Sequence, residues 1–550
     1  MDRPWWQEAV VYQIYPRSFN DSNGDGIGDL PGIRERVPYL NDLGVDAVWL
    51  SPIYESPMAD HGYDVANYRS IHPDYGTMDD FEALRDTLGD HDIRLILDMV
   101  VNHTSDEHDW FERSRNREDP YTDFYHWQDS DDGPPNNWES VFGGSAWSYD
   151  ETRGEYYLHL FDEKQPDLNW RNPQVRDAVV ETMNWWLDRG VDGYRLDVIN
   201  LLSKTEGLPD GVDNTLQIGV EHFWDGPELD EYLAELYERV FAERDVVAIG
   251  EMPGIGSARG LEFTENGDPL SMLIAFDHVV LDWGPGGRWD PTSVNPGSFQ
   301  RALMAWQDAI DDRAWTALYL ENHDQPRAVS RFGDDSRYHY ESATALATVI
   351  TTLRGSPFIY QGQEIGMTNS SFPDPAVLED VESRNYVAES LEEGASYEDI
   401  RPAIEAQSRD NARTPMQWDD SEQAGFTTGE PWLPVTPNYT DINVEAARAN
   451  EDSIWHYYRS LIELRSERAA LVTGSVEPVE PRPDAVFAYR RVSATDELLI
   501  ATNLTDEAPV LELEDDGWQP LTGNYSDPPS TLSGRSLRPY EAVIAEREHR

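Results

Sequence analysis

The chain has 550 residues, with 105 acidic against 42 basic, and no cysteine. That length exceeds one ordinary domain and suits a large barrel with additions. The missing cysteine excludes disulfides and thiol chemistry, and a formal net charge of −63 argues against nucleic acid and anionic lipid as partners.

Only two of the basic residues are lysines, Lys164 and Lys204, and the acids are spread along the whole chain. In molar salt the Debye length falls to about 3 Å, which screens such a surface against its own repulsion. A lysine-poor acidic surface therefore resembles that of proteins from salt-accumulating halophiles; a merely acidic mesophilic enzyme is the alternative. No run of 18 or more apolar residues is present, so no membrane-spanning helix is predicted. The N-terminal stretch lacks the pattern of a signal peptide, and the chain is read as cytoplasmic.

The first predicted strand is "VVYQIYP" (10–16). Just after it comes "DSNGDGIGD" (21–29). Asp21, Asn23 and Asp25 alternate, Gly26 permits a sharp turn, and the Ile27 carbonyl and Asp29 follow. That is the ligand order of a calcium loop at positions 1, 3, 5, 7 and 9. Position 12 is Gly32, so the loop is not an EF-hand. Ca²⁺ is the first choice and Mg²⁺ the second; an Asp/Gly turn without metal is the alternative. The next strands are "AVWLSP" (47–52) and "RLILDMV" (94–100). A stretch rich in Trp, Tyr, Asp, Gly and Pro then occupies 104–167 and is read as a small inserted domain. Five more runs follow: "GYRLDV" (193–198), "VVAIGE" (246–251), "LIAFDH" (273–278), "TALYLENH" (316–323) and "SPFIYQGQE" (356–364).

Eight strands alternating with helical patterns predict an α/β fold, a closed (β/α)₈ TIM barrel. A doubly wound sheet is the rival, but no Gly-rich phosphate loop follows the first strand. The predicted domains are 1–103 and 168–468 for the barrel, with 104–167 inserted after the third strand and a second insert, 366–430, after the eighth. Short antiparallel strands such as "AVFAYRRVS" and "ELLIATNLT" predict a C-terminal β-sandwich over 469–550.

Polar and charged residues collect where the runs end: Asp98, Asn102 and His103; Arg195 and Asp197; Glu251; His323 and Asp324. In a (β/α)₈ barrel those ends share one mouth. Strand alternation puts Arg195 and Asp197 on one face. A retaining glycosidase needs a nucleophile and an acid/base about 5 Å apart. Arg195 is expected to keep Asp197 ionised as the nucleophile, with Glu251 opposite it and protonated. A purely structural Arg–Asp pair in the lumen is the alternative.

"DMVVNHTS" (98–105), "GYRLDVIN" (193–200), "IGEMP" (249–253) and "LENHDQPR" (320–327) resemble, in order, the four motif blocks of the α-amylase family of glycoside hydrolases. "QPDLNW" (165–170) resembles its fifth block; "DHGYDVANY" (60–68) and "RDNARTPMQW" (409–418) also match. Within the family the chain looks most like the oligo-1,6-glucosidase and α-glucosidase group. The resemblance implies Asp197 as nucleophile, Glu251 as general acid/base and Asp324 as the third carboxylate, with Arg195 orienting the nucleophile. It implies that His103 and His323 bind glucose hydroxyls and that Asp60 and Arg413 grip the far end of the terminal glucose, Arg409 being the second candidate for that arginine role. Tyr63 is read as stacking on the sugar, or as a packed barrel-mouth aromatic. The family also places a structural cation in the 21–29 loop and implies no organic cofactor. Val198, beside the nucleophile, resembles enzymes acting on α-1,6 bonds.

The expected activity is therefore a retaining, exo-acting α-glucosidase on short α-glucosides, isomaltose-type first, with maltose and sucrose as further substrates. The alternatives are a sucrose isomerase or α-transglucosylase on the same machinery and, more remotely, a non-catalytic sugar-binding or transporter-associated relative. A trehalose-phosphate hydrolase is disfavoured by the scarcity of lysine. The sequence gives no reading of oligomeric state.

Overall fold

The apolar runs that lack hydrophobic–polar alternation become strands buried on both faces, as expected of a parallel sheet covered by helices. The computed structural model describes residues 3–212, 217–480, 482–513, 517–527 and 532–547. Its central sheet has eight strands: β1 (Val11–Ile14), β2 (Ala47–Leu50), β3 (Arg94–Val100), β4 (Gly193–Asp197), β5 (Val247–Glu251), β6 (Met272–Ile274), β7 (Ala317–Leu318) and β8 (Ser356–Tyr360). Neighbours run in the order β6-β5-β4-β3-β2-β1-β8-β7, and each pair is parallel. A parallel bridge between Leu273 and Thr316 joins the two ends, reinforced by Thr316 Oγ1 donating to the Leu273 carbonyl at 3.2 Å. The barrel closes there.

Alternation divides the core in two. Val11, Ala47, Trp49, Ile96, Val247, Ile249 and Phe358 pack together in the lumen. Their sequence neighbours Tyr12, Val48, Leu95, Leu97 and Ala248, with Tyr194 and Leu196 on either side of Arg195, pack outward with the helices. The helix Pro173–Leu187 shows how the outer layer forms. Asn172 caps it by accepting from the Gln174 N–H, Pro173 supplies the first-turn φ, and Val175, Val179, Met183 and Trp186 make the buried stripe.

Between β3 and β4 lie a helix, Asp109–Arg115, and a three-stranded antiparallel sheet of Trp127–Gln128, Trp147–Asp150 and Glu155–Leu158. After β8 the chain forms the helices Val381–Glu392, Tyr397–Gln407 and Asp410–Arg413. Beyond the helix Ile454–Glu467, a five-stranded antiparallel sheet and a two-stranded one make up the C-terminal region.

At the barrel base two arginines join this region to the helix His339–Thr352. Arg491 donates to the carbonyls of Thr352 and Gly474. Arg465 donates to those of Thr351, Leu471 and Gly355 at 3.2, 2.7 and 2.6 Å. Cations at a helix C-terminus satisfy its last carbonyls and its dipole. Burial pulls both guanidinium groups downward, Arg465 to about 10.

Candidate active site

Three carboxyls at the mouth gather on Arg195. β4 directs Tyr194 outward, where its hydroxyl donates to the Met183 carbonyl at 2.6 Å, and directs Arg195 and Asp197 into the lumen. Gly193 opens the strand because a Cβ there would lie 2.2 Å from the Val247 carbonyl oxygen on β5. Register places Asp98 of β3 directly opposite Arg195. Arg195 Nη1 donates to Asp98 Oδ1 at 2.8 Å and to Asp197 Oδ1 at 2.6 Å, and Nη2 lies 2.5 Å from Glu251 Oε1. Asp98 Oδ2 accepts from the Tyr63 hydroxyl at 2.9 Å and from Trp49 Nε1 at 3.2 Å.

One cation thus serves three carboxyls. Burial pushes Asp197 up to about 7 and Glu251 up to about 7, with Arg195 opposing each shift; Asp98 moves to about 6 for the same reason. The expected raised value of Glu251 is present. A depressed Asp197 is not, because a guanidinium shared three ways does not offset the desolvation of each partner. The carboxylates keep Arg195 itself charged despite its burial.

Asp324 lies nearer the rim. Its side chain is 30% exposed, against 8% for Asp197 and 5% for Glu251. Burial raises its pKa, but His323 at 3.1 Å, Arg409 at 3.3 Å and Arg413 at 2.7 Å hold it well below the usual carboxylate range. It is the one dependable anion of the three. His323 is fixed by Gln13 Nε2, 2.8 Å from its Nδ1, and by the parallel ring of Tyr63 at 5.1 Å. Tyr63 is therefore packed against His323 and tied to Asp98, with its ring at the barrel mouth.

His103 Nε2 is 3.2 Å from Gln165 Nε2, and its Nδ1 is 3.2 Å from Asn102 Nδ2. Burial lowers His103 to about 4, so it is neutral at pH 7. Behind it, Lys204 Nζ contacts Asp167 at 2.6 Å and Asn102 Oδ1 at 2.8 Å. At the far end, Asp60 meets Gln165 at 3.2 Å and Arg409 at 3.2 Å, and Arg409 Nε reaches Asp380 at 2.7 Å. Arg409 is thus the direct partner of Asp60, whereas Arg413 lies on Asp324 and the His323 carbonyl. Sequence reasoning placed Asp98 at the mouth without a role and did not assign Gln165, Lys204 or Asp380 to the site. Val198 is 9% exposed and packs with Trp138, Trp147, Leu158 and Phe223 under the inserted segment.

The 21–29 loop lies apart from this mouth chemistry. Asp21 accepts from the N–H groups of Asn23, Gly24 and Gly26 and from Thr427 Oγ1. Asn23 and Asp25 accept from the N–H groups of Asp25 and Ile27. Asp29 caps the helix Leu30–Leu43 through Gly32 at 2.6 Å and also takes the Ser22 hydroxyl. Among the described residues no three acidic or histidine side chains converge on a cation position. The donors are all oxygens, which fits a hard cation, and one bound there would share these carboxylates with backbone N–H groups.

Residues 13–474 match the family described as "Alpha amylase, catalytic domain". The chain is 48% identical to "Oligo-1,6-glucosidase" of Parageobacillus thermoglucosidasius over 99% of both chains. Two solved structures superpose closely. Trehalose-6-phosphate hydrolase of Bacillus licheniformis gives a TM-score of 0.95 at 42% identity, covering 100% of both chains. Isomaltulose synthase of Klebsiella sp. LX3 gives 0.95 at 39% identity, covering 99% of this chain and 100% of that one.

Proposed function

The chain belongs to the α-amylase family of glycoside hydrolases, and we propose that within it the protein is a retaining, exo-acting α-glucosidase of short α-glucosides, with isomaltose-type α-1,6 bonds preferred. The observation that carries this is the single guanidinium shared by Asp197 and Glu251. It keeps the two carboxyls close, as a double displacement requires. Glu251 gives its proton to the glycosidic oxygen as the Asp197 carboxylate attacks C1 and the leaving sugar departs. Water then attacks C1, Glu251 takes its proton, and the Asp197–C1 bond breaks to release α-glucose. Asp324, held ionised by His323, Arg409 and Arg413, supplies negative charge beside the oxocarbenium-like transition state. Asp60, Arg409 and Gln165 close the far end, which suits a pocket that accepts chain termini.

Product NMR tests this with isomaltose, maltose, sucrose and trehalose 6-phosphate supplied separately. First-formed α-glucose, fastest from isomaltose, is the expected outcome; first-formed β-glucose overturns retention. A maltose preference overturns the linkage assignment based on Val198. Rearranged sucrose would support the second reading, which the similarity to isomaltulose synthase favours. Neither lysine is free for a phosphate: Lys164 pairs with Asp106 and Lys204 is buried against Asp167.

Two further properties belong to this reading. The charge of −63 suits a protein working in molar salt, so its melting temperature should rise with KCl; maximal stability in dilute buffer would count against it. The 21–29 loop suits a structural Ca²⁺, with Mg²⁺ the alternative, remote from the chemistry. Metal analysis of the purified protein, with melts before and after EDTA, tests that assignment. No helix among the described residues is long and apolar enough to cross a membrane.

A further inference from the structure

Val198 has φ 36° and ψ 44°, in the left-handed region that β-branched residues rarely enter. Its surroundings impose that conformation. Residues 193–197 are locked in register between β3 and β5. The chain must then turn at once into the helical turn Ile199–Leu201, where the Leu201 N–H donates to the Val198 carbonyl at 2.9 Å. The side chain is anchored among Trp138, Leu158, Leu201 and Phe223. Strain maintained next to a reacting carboxylate invites a functional explanation.

The explanation lies in the amide. The Val198 N–H donates to Glu251 Oε2 at 3.1 Å, while Arg195 Nη2 lies 2.5 Å from Oε1. Both oxygens of the carboxyl are held, and in different ways. An oxygen facing a guanidinium is kept as an acceptor. An oxygen accepting one amide N–H still has a position for a proton.

We propose that Val198 is a positioning residue for the general acid: its left-handed backbone fixes Oε2 of Glu251 as the proton-bearing oxygen. Its side chain packs under the inserted segment with Trp138 and Phe223, so the backbone that holds the acid is tied to that layer. This rests on the assignment of Glu251 as the acid. The charged and titratable groups around Glu251 are Arg195 and Asp197 on β4, Asp98 on β3, and Tyr319 and Asp324 beyond β7. Substitution at Val198 alters none of them.

The test compares pH profiles of kcat/KM for isomaltose and for 4-nitrophenyl α-glucoside, whose leaving group needs little protonation. Val198→Gly relieves the left-handed strain but removes the side-chain anchor and widens the range of conformations open to the amide. It should lose about tenfold more activity on isomaltose than on the aryl glucoside, a fraction of what general acid catalysis contributes. Its basic limb should move upward, because a less firmly held amide favours the ionised acid less. Val198→Thr keeps the β-branch and should retain the wild-type basic limb while shifting the isomaltose-to-maltose ratio. Val198→Ala, if Val198→Gly melts too low to assay, should show the same displacement at smaller size. Equal losses on both substrates with an unmoved basic limb would overturn the proposal. Glu251→Gln, run alongside, separates the two ideas: if it fails to discriminate the substrates, the acid assignment itself falls.

Discussion

At the mouth of the barrel Arg195 lies among three carboxyls, whereas at the base Arg465 and Arg491 lie among backbone carbonyls. All three are buried, and burial alone lowers the pKa of an arginine. At the base that effect prevails; at the mouth the carboxylates outweigh it, and the shift reverses. The two ends therefore respond differently to damage. The base arginines are local caps whose partners carry no charge. The mouth groups share one charge balance, so a change in any one moves the protons on the rest.

The largest expected contrast is catalytic. Asp197→Ala should lower hydrolysis by about 10⁴-fold or more, with binding of a non-hydrolysed glucoside retained in calorimetry. Arg491→Met should leave kcat per folded molecule within about twofold of wild type, because a buried cap far from the chemistry acts only through stability. A comparable kcat loss from Arg491→Met would break the comparison.

Stability gives the next contrast. Arg491→Met leaves several buried carbonyls without a donor, at a cost of about 2 kcal/mol, and urea melts should show it equally at pH 5 and pH 8. Arg195→Met should also destabilise, but mainly at pH 8. By pH 5 the carboxyls it abandons take up protons and the repulsion among them fades.

The smallest effect is a slope. Asp197 and Glu251 have folded values of about 7, above the unfolded range near 4. Groups raised in this way stabilise the fold fully below about pH 4 and lose that contribution as pH rises toward 7. Melting temperatures in high KCl should therefore include a decline over pH 4–7 that the double variant Asp197→Asn, Glu251→Gln flattens. The base arginines contribute nothing in that window, since Arg465 titrates near 10. The same two carboxyls predict a bell-shaped kcat/KM centred near neutrality.

Much of this was legible in the sequence because barrel strands make alternation and strand ends meaningful. Gly193–Asp197 alone placed Arg195 and Asp197 on one face, and the other strand ends supplied Glu251 and Asp324. Asp98 carried the same signal at the end of β3, yet its role depended on a register that no local pattern encodes. Arg409 and Arg413 are four residues apart, the spacing of neighbours on one helical face, and that spacing could have indicated that both reach the pocket. Asp380 gave no comparable signal: a long insert brings it to Arg409. The sharing of Arg195 with Glu251 was invisible because it depends on side-chain reach across the lumen.

The two arginines at the closed end come from the short helix Asp410–Arg413 and the residue before it, in the segment that follows the last barrel strand. The carboxyls proposed to act on the bond come from the strands and their immediate loops. On the proposed roles, part of the grip on the sugar thus comes from a length of chain apart from the strands that carry Asp197 and Glu251, although Asp60 and Gln165 share that grip from elsewhere. An exchange of the segment between β8 and the helix Ile454–Glu467 with that of a relative would alter which chain ends are admitted while the cutting groups kept their own scaffold.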